Sequence, residues 1–392
     1  MRIHTLSILF FALASIPAAA SDIKAMPDSV CAIDADSVAH KRKNIVGRVI
    51  DYFNNSNNDN EKKKFDISVI GGPHYSSDTK FGVGLVAAGF YRPYLAEDSL
   101  SQPSNVSLYG DVCTSGFYML GLRGDHLFRG DHRRIDYNLY FYSFPRYFWG
   151  IGYDQGIDMD NKSKYKEVFV NASVDYLWRG APHFYLGPAI EMAYSTARHR
   201  ENPALWNGQR SHVLTLGVGF RAQYDTRDNL TAPARGWLLQ FEQRFNPKFL
   251  GNRYAYSYSD VRVCFFHHAW HDAILATRFH GKYCYGNVPW DMMATFGGSS
   301  VMRGYYEGRF RDKGEMDLTV ELRQHIWHRN GVVLWVGVGT VFPRFSSIRF
   351  GKLLPNGGIG YRWEFKKLTN VRLDLGFAKG EKAFIFSINE AF

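Results

Sequence analysis

The C-terminal third of the chain alternates side chains of opposite character residue by residue. In "NVRLDLGF", residues 370–377, Val371, Leu373, Leu375 and Phe377 share one parity, and Asn370, Arg372, Asp374 and Gly376 share the other. Successive side chains of a β-strand point to opposite faces, so this segment reads as a strand between an apolar and a polar environment. "GIGYRWEF" repeats the pattern, with Ile359, Tyr361, Trp363 and Phe365 set against Gly358, Gly360, Arg362 and Glu364. "EMDLTVELRQHIW" sets Met316, Leu318, Val320, Leu322 and Ile326 against Asp317, Glu321, Arg323 and His325. Charges recur on the same face of several strands. A soluble sandwich would turn that face to water, whereas a membrane barrel turns it to a wet lumen and presents the apolar face to lipid.

Two further features favour the barrel. Arg2 and His4, the apolar run "LSILFFALASI" and Ala18-Ala19-Ala20 before Ser21 read as a secretory leader over residues 1–20. That run is too short for a membrane span, and no later stretch approaches the 18 or more consecutive apolar residues of a spanning helix. Aromatic residues make up 16% of the chain, with 24 Tyr and 30 Phe, while only 45% is hydrophobic. Strands with one apolar and one polar face produce that balance. The expected fold is all-β: a transmembrane antiparallel β-barrel over residues 65–392. At roughly ten residues per strand plus connections, it holds an even number of strands near sixteen.

Residues 21–64 form a short periplasmic N-terminal segment in this reading. Ile45, Val46, Val49, Ile50 and Phe53 fall at helical spacing and predict an amphipathic helix, and "NNSNNDNEKKK", residues 54–64, predicts a polar linker. At the other end "AFIFSINEAF" reads as a last strand carrying Phe384, Phe386 and Ile388 on one parity and running to Phe392 without a tail.

Catalytic signals are sparse. There is no G-x-S-x-G elbow, P-loop or paired-carboxylate motif, so no enzyme activity, cofactor or metal is expected. A hydrolase assembled across strands stays open on the residues alone. "HHAWH", residues 267–271, reads as a turn between strands rather than a metal shell. If Cys264 and Cys284 lie on the strands flanking that turn, pairing leaves them several residues out of register, which predicts no disulfide between them. The formal charge of +10 comes from arginines scattered through strands, which argues for a basic lumen and against a nucleic-acid surface.

One connection stands apart. "GGSSVMRGYYEGRFRDK", residues 297–313, is glycine-rich and polar yet carries three arginines and three aromatics that a solvated loop does not need. With it, several motifs in order resemble the outer-membrane protein insertase and translocase superfamily, the BamA/TamA-like barrels with the bacterial surface antigen domain. "GGPHYSSDTKFGVG" near Gly71 resembles the first hairpin. "YDTRDNLTAPARGW", residues 224–237, resembles the Asp-x-Arg-Asp segment followed by Pro-x-Arg-Gly. "GGSSVMRGY" resembles the approach glycines and [VL]-Arg-Gly-[YF] signature of the sixth extracellular loop, "VELR" the strand after it, and "RLDLG" the penultimate strand. Met302 departs from the usual Val or Leu. The receptor repeats that precede such barrels have no room before Phe65, which puts client capture in doubt.

The resemblance implies that the loop folds into the lumen and that its arginine pairs with an acid on the inner wall. Gly297, Gly298, Arg303, Gly304 and Tyr305 are then the loop motif. Asp374 is the first expected partner and Glu321 the second, since both lie on the polar parity. Gly337, Gly339, Gly358 and Gly360 would leave room for the loop. The family opens at a seam between first and last strands, which places Phe384, Phe386 and Phe392 there. It also implies outer-membrane lipid, client outer-membrane or exported proteins and a separate periplasmic chain as partners, in a Gram-negative outer membrane. A passive plugged channel or structural barrel is the other reading.

Overall fold

The computed structural model describes residues 65–76, 80–91, 104–366 and 369–392. The expected leader, helix and linker of residues 1–64 lie outside them. The strands are β1 (Phe65–Ser76), β2 (Lys80–Tyr91), β3 (Ser104–Cys113), β4 (Tyr118–Leu127), β5 (Arg133–Phe148), β6 (Ser163–Ala181), β7 (Phe184–Arg198), β8 (His212–Asp225) and β9 (Gly236–Asn246). They continue with β10 (Tyr256–Trp270), β11 (Ala273–Gly286), β12 (Ala294–Phe296), β13 (Phe310–Asp312), β14 (Gly314–Trp327), β15 (Asn330–Phe342), β16 (Leu354–Lys366), β17 (Thr369–Ala378) and β18 (Glu381–Ile388). Sixteen of them form one sheet in chain order, while β12 and β13 pair only with each other inside the connection from β11 to β14. All the pairings are antiparallel, beginning with the hairpin that sets Phe65 opposite Tyr91.

Burial decides between sandwich and barrel. On the outward parity Leu318, Leu334, Val336, Ile359, Leu375 and Phe377 are exposed, while Arg278, Arg244, Glu321 and Asp374 are buried on the other face. A water-soluble fold would invert this. It is the arrangement that a strand wall in lipid requires, with backbone groups paired within the sheet and polar side chains turned to the lumen.

Ion pairs cross that lumen. Arg134 of β5 reaches Asp225 of β8 at 3.1 Å, Arg221 of β8 reaches Asp136 of β5 at 2.7 Å, and Arg244 of β9 reaches Asp175 of β6 at 2.6 Å. These strands are not sheet neighbours, so the wall curves around its charged face. Arg146 of β5 donates to the Glu307 carbonyl at 2.9 Å, and Glu381 of β18 accepts from the Tyr306 amide at 2.7 Å. Strands far apart in sheet order thus converge on one internal loop, which is barrel geometry.

The β10–β11 register sets Cys264 opposite Arg278 and Cys284 opposite Tyr258, so the two thiols stand apart along the strands. Both are free and buried. The end of the chain differs from the expectation. β18 stops at Ile388, because Asn389 adopts φ +67° and its amide bonds the Asn370 carbonyl at 2.7 Å. Glu390 is then drawn inward to Arg362 at 2.9 Å, and Phe392 packs in the cluster of Leu238, Cys264, Phe266 and Ala276 instead of extending the terminal strand.

Candidate functional site

Residues 287–313 leave β11, enter the lumen and return as β14. Glycines set the path. Gly297, Gly298 and Gly304 have φ of +94°, +132° and +118°, where other residues are strained. A side chain at Gly304 would also meet the Gly376–Phe377 backbone at 3.1 Å. Met302 adopts φ +42° and is buried with Phe296, Tyr305, Phe310, Val341 and Leu354. The Tyr305 hydroxyl donates to the Pro355 carbonyl at 2.8 Å, and its ring meets those of Phe296 and Phe310 at 5.3 and 5.8 Å.

Arg303 is 1% exposed. One guanidinium nitrogen donates to Asp374 Oδ2 at 2.5 Å, and the other bonds Glu321 Oε2. Its carbon lies 3.7 Å from the centre of the Trp335 ring. The structure therefore brings the loop arginine to both acids read from strand parity. Their cross-strand positions explain how: Glu321 faces Trp335, Trp335 faces Gly358, and Gly360 faces Asp374. The glycines between them carry no side chain to hold the guanidinium off the wall.

The network extends further than the sequence indicated. Arg362 donates to Asp374 Oδ1 at 2.6 Å and Arg323 to Glu321 Oε1 at 2.7 Å. Glu390 pairs with Arg362, and Arg323 also donates to the main-chain oxygen of Phe392 at 3.0 Å. Arg372 donates to the Ser299 carbonyl at 3.0 Å, and Asn356 to the Arg303 carbonyl at 2.9 Å. The loop backbone lies on the wall at Gly376, where a Cβ would come within 2.7 Å of the Arg303 carbonyl oxygen. Gly339 is covered by Phe296, while Gly358 abuts Trp335 and Gly337 abuts Asn356. Shared parity placed Arg362 and Arg323 on the same face as these carboxylates but did not indicate that they pair with them. The inward turn of Glu390 had no such signal.

The loop reaches other elements too. Arg309 pairs with Glu381 at 2.8 Å and donates to the Gly156 carbonyl, also at 2.8 Å, in helix α1 (Tyr153–Ile157). Beside it remains a cavity of about 1180 Å³ whose lining includes Tyr109, Tyr140, Asp175 and Arg221. On the outer face Phe384 and Phe386 are exposed on β18, whereas Phe392 is on the lumen side. The "HHAWH" segment spans the end of β10 and its turn, where exposed His271 pairs with Asp272 at 2.8 Å.

Residues 124–392 match the Omp85 superfamily domain. The chain belongs to the Omp85 superfamily. Among solved structures, this Omp85 barrel is similar to BamA from Haemophilus ducreyi lacking POTRA domains 1–3, with a TM-score of 0.53 and 13% identity over 84% of this chain and 70% of that one. It is also similar to CdiB from Acinetobacter baumannii, with a TM-score of 0.51 and 11% identity over 84% of this chain and 60% of that one. CdiB from Escherichia coli gives a TM-score of 0.51 and 10% identity over 84% and 62%. The chain thus spans less than two thirds of either CdiB. No curated protein sequence matches it.

Proposed function

We propose that this Omp85 barrel sits in the outer membrane of a Gram-negative bacterium. There it assists insertion or secretion of other outer-membrane or exported proteins through a lateral seam between β1 and β18. The observation that carries this reading is where the loop is fastened. Arg303 binds β14 and β17, and Tyr306 and Arg309 bind Glu381 of β18, so the loop is bolted to the sheet beside its terminal strand. β18 is also a short strand, 8 residues against 19 for β6. β1 carries Gly71-Gly72-Pro73, and a proline removes one donor from the ladder. Two weak edges make a seam that can template pairing with a client strand.

The activity would involve no covalent chemistry. In this reading the barrel recruits clients directly or through a separate periplasmic chain, and outer-membrane lipid surrounds its apolar face. The test is insertion itself. Liposomes carrying the barrel are challenged with a urea-unfolded eight-stranded barrel protein, and the heat-modifiable folded form is followed by gel mobility. Faster client folding than in empty liposomes supports the proposal. Equal rates would leave a passive plugged barrel.

A further inference from the structure

The outward face of the wall changes character toward one end. The connections after β9 and β15, residues 247–255 and 343–353, leave the sheet at the same end as the long connection after β11. Below them the apolar alternation gives way to groups that hydrogen-bond. Gln243 of β9, Ser259 of β10 and Tyr283 and Tyr285 of β11 share the outward parity with Phe241, Val261 and Phe279. Ser259 Oγ donates to Gln243 Oε1 at 2.5 Å and lies 3.4 Å from the Tyr285 hydroxyl. Tyr283 donates to the Pro343 carbonyl at 3.2 Å, and its ring stacks on that of Phe345 at 4.7 Å. Tyrosines with the ring in an apolar layer and the hydroxyl at its edge mark the boundary between hydrocarbon and headgroups.

Cations lie beyond that boundary. The two connections contain Lys248, Arg253, Arg344, Arg349 and Lys352 and neither Asp nor Glu. Lys352 pairs with Asp154 at 2.6 Å. The other four are exposed and, among the described residues, have no ion pair. Inside the barrel the same chain treats its arginines differently, since Arg221, Arg244 and Arg303 each meet a carboxylate. Three of the four unpaired cations are followed directly by phenylalanine: Lys248-Phe249, Arg344-Phe345 and Arg349-Phe350. Phe249 and Phe350 are 84% and 93% exposed, too much apolar surface for a ring packed on its own protein. A cation beside an aromatic ring suits a bilayer interface, where the ring enters the acyl boundary and the charge stays with the headgroup.

We propose that residues 247–255 and 343–353, above the Tyr283 and Tyr285 band, form a docking surface for a phosphorylated glycolipid of the outer leaflet. Lys248, Arg253, Arg344 and Arg349 take its phosphates, and Phe249 and Phe350 lie against its acyl chains. Charge complementarity selects this occupant, because a phosphorylated lipid is the anion already in contact with the wall. Tyr283 holds the second connection over the outer face of β11, so both connections present their cations on the lipid side of the sheet. The inference rests on the outer-membrane placement proposed above and not on client insertion.

The experiment uses the full chain in a neutral detergent, with purified bisphosphorylated lipid A as the probe and native mass spectrometry to count bound lipid. Fractionation of the cell envelope reads the placement separately, so its failure is distinguishable from failure of the surface. The expected result is retention of bisphosphorylated lipid A at least about 10-fold over phosphate-free lipid A or phosphatidylglycerol, unaffected by inorganic phosphate. Lys248→Ala/Arg253→Ala and Arg344→Ala/Arg349→Ala should each weaken retention about 10–30-fold, while Arg344→Lys/Arg349→Lys keeps most of it. All four side chains are exposed, and heat-modifiable mobility shows that each variant is folded. Either double variant carries the test if the other is not. Equal retention of phosphate-free lipid A or of phosphatidylglycerol, or unchanged binding in the folded double variants, would overturn the surface. Displacement by inorganic phosphate would overturn it too and leave a site for an adventitious ion only.

Discussion

Replacing Arg303 with alanine removes two charge-assisted hydrogen bonds and the contact with Trp335. Hydrogen bonds to charged groups contribute about 1.5–3 kcal/mol each, and a cation over a desolvated ring contributes up to about 2. The low end of that sum applies here. Asp374 keeps Arg362 and Glu321 keeps Arg323, so neither carboxylate is orphaned. The network of Arg303, Arg323, Arg362 and Arg372 with Glu321, Asp374 and Glu390 even loses its one excess cation. We expect a loss of about 3–4 kcal/mol in loop attachment, which is about 10²–10³ in the opening equilibrium at about 1.4 kcal/mol per tenfold. Hydrogen exchange reads this directly. The amides of Tyr305, Tyr306 and Gly308 bond to Met302, Glu381 and Phe296 and should exchange faster by that factor, while β10 and β11 amides stay unchanged. Unchanged loop exchange, or an equal rise throughout the wall, would refute the idea that Arg303 holds the loop as a separable unit.

Asp374→Ala should be more damaging than Arg303→Ala: Arg303 keeps Glu321 and Arg362 keeps Glu390, but Arg372 loses the Asp374 carboxylate beside two other arginines, and an unpaired buried charge costs about 3–5 kcal/mol. Thermal loss of the heat-modifiable form should show this, with partial recovery in the double variant. Gly376→Ala should push the Arg303–Gly304 backbone off β17 and raise single-channel current in planar bilayers. Gly351→Ala, where a Cβ meets nothing within 4 Å, should not. In the connection after β11, burial pushes the Asp291 carboxyl up to about 7. The unfolded carboxyl ionises near 4, so this group's folded form is favoured at low pH and loses ground as pH rises from about 4 through 7. Urea unfolding from pH 4.5 to 7.5 should show a shallower fall for Asp291→Asn than for the wild type.

The strand alternation was legible because lipid and lumen impose opposite demands on adjacent residues, and it survives in "NVRLDLGF" even though neighbouring strands are far away in sequence. Parity also placed Asp374 and Glu321 on the lumen side. It could not show that both reach one guanidinium, because that depends on the registers of β14 through β17, which no local pattern encodes. Trp335 was hidden for a related reason. It occupies an inward position of β15, where an aromatic residue looks like an exception to the polar face, and only the arginine above it gives it a partner. Phe392 was misplaced because alternation through Ile388 continued on paper to the last residue. The positive φ of Asn389 and the pull of Arg362 and Arg323 on Glu390 are tertiary effects.

In the proposed function the latched loop governs access to a seam at β18. In-cell photocrosslinking tests it most directly, with the probe at Phe384 or Phe386 in turn, both exposed on the outer face, in the wild type and in Arg303→Ala. The expected result is adducts to other outer-membrane barrels or to an exported protein, reduced by the substitution. Adducts confined to β1 of the same chain and indifferent to Arg303 would contradict it and leave a closed, plugged barrel.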